Sequence, residues 1–146
     1  MARIKVSPVQ NILFSTTIEV RITDLNYGNH LGNDRLLSIL HEARVQFLTS
    51  LGYSEMNIEN VGIIMADVAI AYKNQAFYGE QLKINIGIQD VTRASFDFLY
   101  EIWKKVDHEE NEVLVAQAKT GIVTFDYQHN KVVPIPQAFL EKLAQN

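Results

Sequence analysis

The segment TDLNYGNHLGND, residues 23–34, concentrates the side chains of this 146-residue chain that could do chemistry. It holds two carboxylates, Asp24 and Asp34, and the histidine His30. Histidine is the side chain whose ordinary pKa lies nearest to neutral pH, so His30 is a candidate general base. Its glycines and asparagines are typical of a loop, in which His30 could equally serve only as a hydrogen-bonding residue. The segment is therefore either a polar connector or the centre of a reactive site.

Several other kinds of site are excluded by what the sequence lacks. There is no cysteine, which rules out disulfides, thiolate metal ligands and cysteine nucleophiles. The sequence contains no spaced pair of histidines, no phosphate-binding glycine loop and no serine in a nucleophile-elbow motif. We therefore predict neither a metal site nor a cofactor.

Composition indicates one soluble, cytoplasmic domain covering residues 1–146. Apolar residues make up 47% and charged residues 21%, and the net charge is −4. A negative net charge argues against a protein that binds nucleic acid through its phosphates. The longest apolar stretch, Val61–Tyr72, contains Asp67 and is too short to span a bilayer as a helix. No apolar region follows the basic N-terminal residues, so no signal peptide is predicted.

The polar segment lies between a predicted strand and a predicted helix. Residues Leu13–Ile22 alternate and are rich in β-branched side chains, which indicates a strand. The following DRLLSILHEARVQFLTSLG predicts a helix of about five turns, with Asn33 or Asp34 as its N-cap and Gly52 as its end. Its apolar stripe consists of residues spaced by three and four, widened by two leucines: Leu36, Leu40, Ala43, Phe47 and Leu51, with Leu37 and Leu48.

Four more strands and a short C-terminal helix are predicted after the long helix. The strands are Val61–Tyr72, Gln81–Val91, Ser95–Val106 and Glu112–Tyr127, and KNQAFYGE, TRA and DHEEN between them are short enough for hairpins. The third of these strands places Phe96, Phe98, Tyr100, Ile102 and Val106 on one face, which is predicted to be buried. This order predicts the α+β class, with an antiparallel five-stranded sheet curved around one long central helix.

Residues 21–48, RITDLNYGNHLGNDRLLSILHEARVQFL, resemble the opening of hotdog-fold acyl-CoA thioesterases of the 4-hydroxybenzoyl-CoA thioesterase-like branch. That opening reads roughly D-x-D-x-x-G-H-V-N-N and is followed by a helix containing E-x-A-R. The stretch AYKNQAFYGEQLKI also resembles a strand end of this family. The matching positions here are the first aspartate, the histidine, the last asparagine and the helix signature: Asp24, His30, Asn33, Glu42, Ala43 and Arg44.

The resemblance implies a catalytic site, but with departures in the motif. Asn26 stands where the family usually has its catalytic carboxylate, and Asn29 and Gly32 also differ from the pattern. An amide cannot act as a base, although Asn26 could hold a water molecule. The base is then His30 or Glu42, with Asp24 as a group that orients His30 or the loop. For Glu42 an ion pair with Arg44, Arg35 or a lysine is the alternative, and for Asp24 a structural role in the loop.

The resemblance also implies groups that would bind the substrate. The backbone N–H groups of Gly32, Asn33 and Asp34, at a helix N-terminus, could polarise the thioester carbonyl. Lys73 and Arg93 are candidates for binding the phosphates of coenzyme A.

Hotdog relatives form dimers with sites at the subunit interface, so we expect a homodimer or a dimer of dimers. An outward face of the sheet carrying Val113, Val115 and Trp103 would favour such pairing.

Three functions remain compatible with these residues. The first is hydrolysis of an acyl-CoA or acyl-carrier thioester, with water held by Asn26 and His30. The second is binding of an acyl thioester with weak or no hydrolysis, which Asn26 motivates. The third is hydration or dehydration of an enoyl thioester, for which His30 and Glu42 would have to face one pocket.

Overall fold

The computed structural model describes residues 2–106 and 110–145, which form six strands and two α-helices. In chain order they are β1 (Phe14–Glu19), α1 (Asn33–Ser50), β2 (Gly62–Tyr72), β3 (Gln81–Gln89), β4 (Ser95–Lys105), β5 (Glu112–Asp126), β6 (Lys131–Val132) and α2 (Gln137–Ala144). A short 3₁₀ helix, Ile22–Asp24, follows β1. The α+β class and the antiparallel sheet are as predicted, and α2 confirms the expected C-terminal helix. The sheet has six strands and not the predicted five, because the short β6 also pairs with β5.

The sheet runs in the order β1-β3-β4-β5-β2, with the two-residue β6 added beside β5. The hairpin predicted at TRA is confirmed, because β3 pairs antiparallel with β4. The hairpin predicted at KNQAFYGE is wrong, since β2 pairs with β5 at the far edge of the sheet. A short connector limits the distance between two strand ends but does not decide which strands pair. The connector DHEEN includes residues 107–109, which lie outside the described residues.

Helix α1 connects β1 and β2, the strands at the two ends of the sheet order. Its buried side chains belong to the same core cluster as those of the strands: Leu36, Ile39, Leu40, Ala43, Phe47 and Leu48. Leu37, predicted to widen the stripe, is 44% exposed, and Ile39 is buried instead. Periodicity defines the direction of the stripe, whereas its width at each turn depends on what covers that turn.

The two ends of α1 differ in how well the sequence predicts them. The N-cap is Gly32, with no capping side chain, so the prediction of Asn33 or Asp34 is wrong; both lie in the first turn. The predicted end at Gly52 is confirmed, with a φ of +83° that favours glycine. Gly52 N–H donates to Thr49 (2.9 Å) and Tyr53 N–H donates to Leu48 (2.8 Å), which satisfies the last carbonyls of the helix.

The pairing of β4 with β5 contains an irregularity that changes the side of the sheet on which Val115 lies. Phe96, Phe98, Tyr100 and Ile102 of β4 are buried as predicted, whereas Val106, beyond the end of the strand, is 39% exposed. Val115 of β5, predicted to face outward, is only 3% exposed. The register shifts here: Ile102 is opposite Ala116 while Trp103 is opposite Leu114, so Val115 is the extra residue of a bulge. A bulge reverses the facing of the residues beyond it, which explains why both Val115 and Ala116 are buried. Trp103 and Val113 are half-buried.

Within the described residues, neither α-helix is long and apolar enough to cross a membrane.

Candidate active site

Residues 25–31 form a closed turn that precedes α1. Leu25 and Leu31 form a bridge, and Asn26 N–H donates to the His30 carbonyl at 2.9 Å. Asn29 N–H donates to the Asn26 carbonyl at 3.1 Å, and Asn29 has a φ of +63°, which asparagine tolerates better than most residues. The turn therefore keeps Asn26 and His30 close together.

The side chains of Asn26 and His30 face the same point, beside Gly28. A Cβ on Gly28 would lie 3.2 Å from Asn26 Oδ1 and 3.2 Å from His30 Nε2. Asn26 Oδ1 also accepts the N–H of Gly28 at 2.8 Å, so part of its accepting capacity is used within the turn. His30 is half-buried, with Nδ1 at 3.4 Å from the Leu31 carbonyl.

A cavity of about 270 Å³ lies between the N-terminus of α1 and the end of β2. Four of the predicted site residues line it together: His30, Gly32, Asn33 and Lys73. The remaining lining residues are Leu31, Leu36, Tyr72, Asn74, Gln75, Ala76 and Val115. The β5 bulge thus directs Val115 into the wall of this cavity.

Two backbone donors are free at the N-terminus of α1. Gly32 N–H, predicted to be available, donates to the Asp24 carbonyl at 3.0 Å. The N–H groups of Asn33 and Asp34 have no acceptor among the described residues, as is usual in a first helical turn. Together with the positive end of the helix dipole, they can stabilise a negative charge that develops on an oxygen.

Tyr72, which the sequence analysis did not single out, connects β2 to this helix end. Its hydroxyl donates to the Asn33 carbonyl at 2.9 Å. Burial raises the pKa of the Tyr72 phenol, and the negative charge of Asp34 raises it further. Asn74 is likewise anchored, because its Nδ2 donates to the Leu114 carbonyl at 2.7 Å. The family-like stretch AYKNQAFYGE contains these residues, but only the folded chain brings them against His30.

Five predicted site residues do not line this cavity: Asp24, Asn26, Asp34, Glu42 and Arg93. Asn26 and Asp34 adjoin Gly32, which does line it. Asp24 is buried and its carboxylate accepts the backbone N–H of Arg21 at 2.9 Å, which is a structural role. Glu42 accepts from Gln46 Nε2 at 2.9 Å and lines a separate groove. Arg93 lies just before the start of β4, at the opposite end of the β4–β5 pair from the bulge at Val115.

Arg44 of the helix signature is buried and joins α1 to the loop that follows the helix and to β4. Its guanidinium donates to Glu55 at 3.0 Å and to the Tyr100 hydroxyl at 3.2 Å, and Tyr100 is bonded in turn to Thr120. Burial lowers the pKa of Arg44, but Tyr100 and Glu55 outweigh it, so the pKa is raised overall. The ion pair of Glu42 with Arg44 that the sequence left open is not formed, because Arg44 pairs with Glu55.

Comparison with known proteins identifies relatives of the whole domain. Residues 20–143 match the model of the thioesterase-like superfamily. The long-chain acyl-CoA thioesterase FadM of Escherichia coli is 28% identical over 131 residues, which cover 89% of this chain and 96% of FadM.

Two solved structures share the fold. A 1,4-dihydroxy-2-naphthoyl-CoA thioesterase from Synechocystis superposes with a TM-score of 0.77 at 23% identity, covering 90% of this chain and 95% of that one. A mutant of 4-hydroxybenzoyl-CoA thioesterase with asparagine in place of an aspartate, complexed with 4-hydroxybenzoyl-CoA, gives a TM-score of 0.78 at 15% identity. The superposition covers 89% of this chain and 97% of that mutant.

Proposed function

The chain belongs to the thioesterase-like superfamily, and on this premise we propose that it hydrolyses an acyl-CoA or acyl-carrier thioester to a free acid and a thiol. The observation that carries the proposal is the cavity at the N-terminus of α1, which is lined by His30 and Asn33 and lies at a helix end where the N–H groups of Asn33 and Asp34 are free. Thioester hydrolysis needs this combination, because a water molecule must be held against a carbonyl whose oxygen becomes negative.

In the proposed mechanism the thioester carbonyl lies against the first turn of α1. The N–H groups of Asn33 and Asp34 donate to the carbonyl oxygen and stabilise the oxyanion of the tetrahedral intermediate. Asn26 and His30, which face the same point beside Gly28, hold the attacking water. Tyr72 keeps the first turn in place through its bond to the Asn33 carbonyl.

The lining of the cavity supports a thioester substrate, whereas its size limits the part of the substrate that fits inside. A volume of about 270 Å³ is below the range of roughly 300–1,000 Å³ for a pocket that holds a whole ligand, so it accommodates the thioester and the adjoining atoms. Lys73 lies at the cavity wall and offers a charge for a phosphate of coenzyme A. FadM acts on long-chain acyl-CoA and two structural neighbours act on aromatic acyl-CoA, so both classes of acyl group are candidates.

We also propose that the chain forms a homodimer in which β2 contacts the partner subunit. This strand is eleven residues long and has a neighbour on one side only. Its exposed apolar side chains include Ile64, Met65 and Val68, each more than a third exposed. An exposed edge of this length readily pairs with another strand. The cavity adjoins the end of β2 at Tyr72, so a partner there would lie close to the site.

Binding of an acyl thioester without efficient hydrolysis is the second candidate. It is favoured by Asn26, whose amide oxygen is already bonded to Gly28 N–H and has no basicity. The structural neighbour with asparagine in place of an aspartate is complexed with 4-hydroxybenzoyl-CoA. Enoyl-thioester hydration has no comparable support, because Glu42 and His30 line different cavities in the protomer.

A thiol-release assay across short, long and aromatic acyl-CoAs tests the proposal. We expect turnover above background, and a fall of about 10²-fold or more in kcat for His30→Ala, the size typical of a lost group that handles a proton or its water. Calorimetry of acyl-CoA binding accompanies the assay. Tight binding with no thiol release on any substrate would replace hydrolysis by the binding function.

A further inference from the structure

We propose that the carboxylate of Asp34 is the general base of this site and does the work for which Asn26 is unsuited. This inference rests on the proposed hydrolysis and adds the group that removes a proton from the attacking water. Proteins with the motif that this segment resembles usually carry a carboxylate at the position of Asn26. Here the nearest later carboxylate in the chain is that of Asp34, eight residues further on. The fold brings the two positions together.

The space above Gly32 joins Asp34 to the turn that holds the water. A Cβ on Gly32 would lie 2.7 Å from Asp34 Oδ1 and 3.7 Å from Asn26 Cβ. The carboxylate therefore bends back from the first turn of α1 into the gap that glycine leaves. This position is on the same side of the loop as Asn26 and next to a residue that lines the cavity.

Asp34 is exposed and lies beside the cavity, next in the chain to Asn33, which lines it. Its charge acts on Tyr72, whose hydroxyl is bonded to the Asn33 carbonyl and whose ring lines the cavity. Among the described residues, Asp34 forms no salt bridge, so no cation neutralises it. The carboxylate is exposed and remains available to accept a proton from a water molecule.

Other carboxylates near the loop are less suited to this role. Asp24 is buried, and its carboxylate accepts the backbone N–H of Arg21. Glu42 is bonded to Gln46 in a separate groove. Asp34 is thus the carboxylate that adjoins both the free N–H groups and the turn of Asn26 and His30.

The proposed step balances as a hydrolysis. Water attacks the thioester carbon and gives one proton to Asp34, while the carbonyl electrons move onto oxygen and are stabilised by the two N–H groups. The oxyanion then re-forms the carbonyl, the carbon–sulfur bond breaks, and the thiolate takes the proton from Asp34. The products are a carboxylic acid and a thiol, and Asp34 returns to its ionised form.

The test compares kcat of Asp34→Asn with that of the wild-type chain on the acyl-CoA that the wild type turns over best. We expect kcat to fall by about 10²–10⁴-fold, the range for loss of a general base, with a smaller change in KM. Glu141→Gln, an exposed carboxylate of α2, is the matched control and should keep the wild-type kcat. Circular dichroism and acyl-CoA binding of Asp34→Asn show that the variant is folded and binds.

Rescue makes the test specific to a base. In the Asp34→Asn background, Asn26→Asp returns a carboxylate to the turn beside Gly28 and His30, and we expect at least a tenfold recovery of kcat. A folded Asp34→Asn that binds acyl-CoA and keeps kcat within threefold of an active wild type overturns the inference, while the proposed hydrolysis stands. A wild-type chain that binds acyl-CoA without thiol release overturns the proposed hydrolysis and this inference with it.

Discussion

Gly32 shows how a single residue can matter through the atom that it lacks. Its backbone is extended, with φ −70° and ψ 144°, so the conformation does not require glycine. What does require it is the space above Cα, where Asp34 Oδ1 lies 2.7 Å from the position of a Cβ. Glycine here is therefore explained by the approach of a carboxylate and not by a backbone constraint.

Gly32→Ala should accordingly reduce activity with little effect on folding. The Cβ meets the end of a flexible side chain, so we expect the free energy of unfolding to change by less than about 1 kcal/mol, in the range of mild substitutions. The displaced carboxylate should lower kcat by about tenfold or more, a part of what a general base contributes. Denaturant unfolding and the thiol-release assay measure the two effects.

A double-mutant cycle tests whether both changes act through Asp34. Gly32→Ala in the Asp34→Asn background should cost almost nothing further, because residues that act together are not additive. Equal losses of kcat in the two backgrounds would show that Gly32 acts independently of Asp34.

At the scale of elements, α1 is held by a buried charge as well as by apolar contacts. Arg44 reaches from the helix to Glu55 in the following loop and to Tyr100 in β4. Its side chain is only 5% exposed, whereas that of Glu55 is 28% exposed. The first turn of α1 depends on the placement of the whole helix, so this network also supports the site from a distance.

Arg44→Leu should therefore destabilise the protein. Breaking a fully buried pair costs about 3–5 kcal/mol. Because Glu55 keeps some contact with water and Tyr100 keeps its bond to Thr120, we expect about 2–3 kcal/mol, measured by urea unfolding. Arg35→Leu is the matched control on the exposed side of the same helix and should change stability by about 0.5 kcal/mol or less. Similar losses in the two variants would mean that the buried network contributes nothing specific.

At the scale of the whole molecule, the order of the strands decides where a partner can bind. β1 and β2 are the edges of the sheet path, and β2 carries exposed apolar side chains and ends at the cavity with Tyr72. A dimer through β2 would cover Ile64, Met65 and Val68 and close the open side of the site near Tyr72. The activity of the site is then expected to depend on assembly.

Val68→Lys should shift the protein toward monomers. A lysine on an edge strand opposes pairing, because its charge would have to be buried against a second strand. We expect a lower sedimentation coefficient at micromolar concentration and a parallel loss of kcat. Val132→Lys places the same change on β6, where Val132 is 54% exposed, and should leave assembly intact. If Val68→Lys stays dimeric, the contact is not β2.

Local patterns in the sequence were sufficient for the elements themselves. The spacing in α1, the glycine at its end and the alternation of β4 each depend on neighbours within a few residues, and each is confirmed. The motif of residues 23–34 likewise identified the family, because it is a contiguous segment. The roles of Asn26, His30 and Asp34 stay predictions, although Asn26 and His30 face the same point.

Contacts between distant parts of the chain required the tertiary structure. Nothing local specified that β2 pairs with β5, that a bulge turns Val115 inward, or that Tyr72 meets Asn33 across 39 positions. The sequence also could not exclude Glu42 and Arg93 from the cavity. Their side chains have suitable charges for a base and for a phosphate-binding group, and only their positions in the fold keep them out of the cavity. The sequence by itself determined which groups and elements the protein has, because these follow from side-chain chemistry and short-range periodicity. Only the tertiary structure decided which of these groups share a cavity, because strand pairing and packing join residues that no local pattern relates.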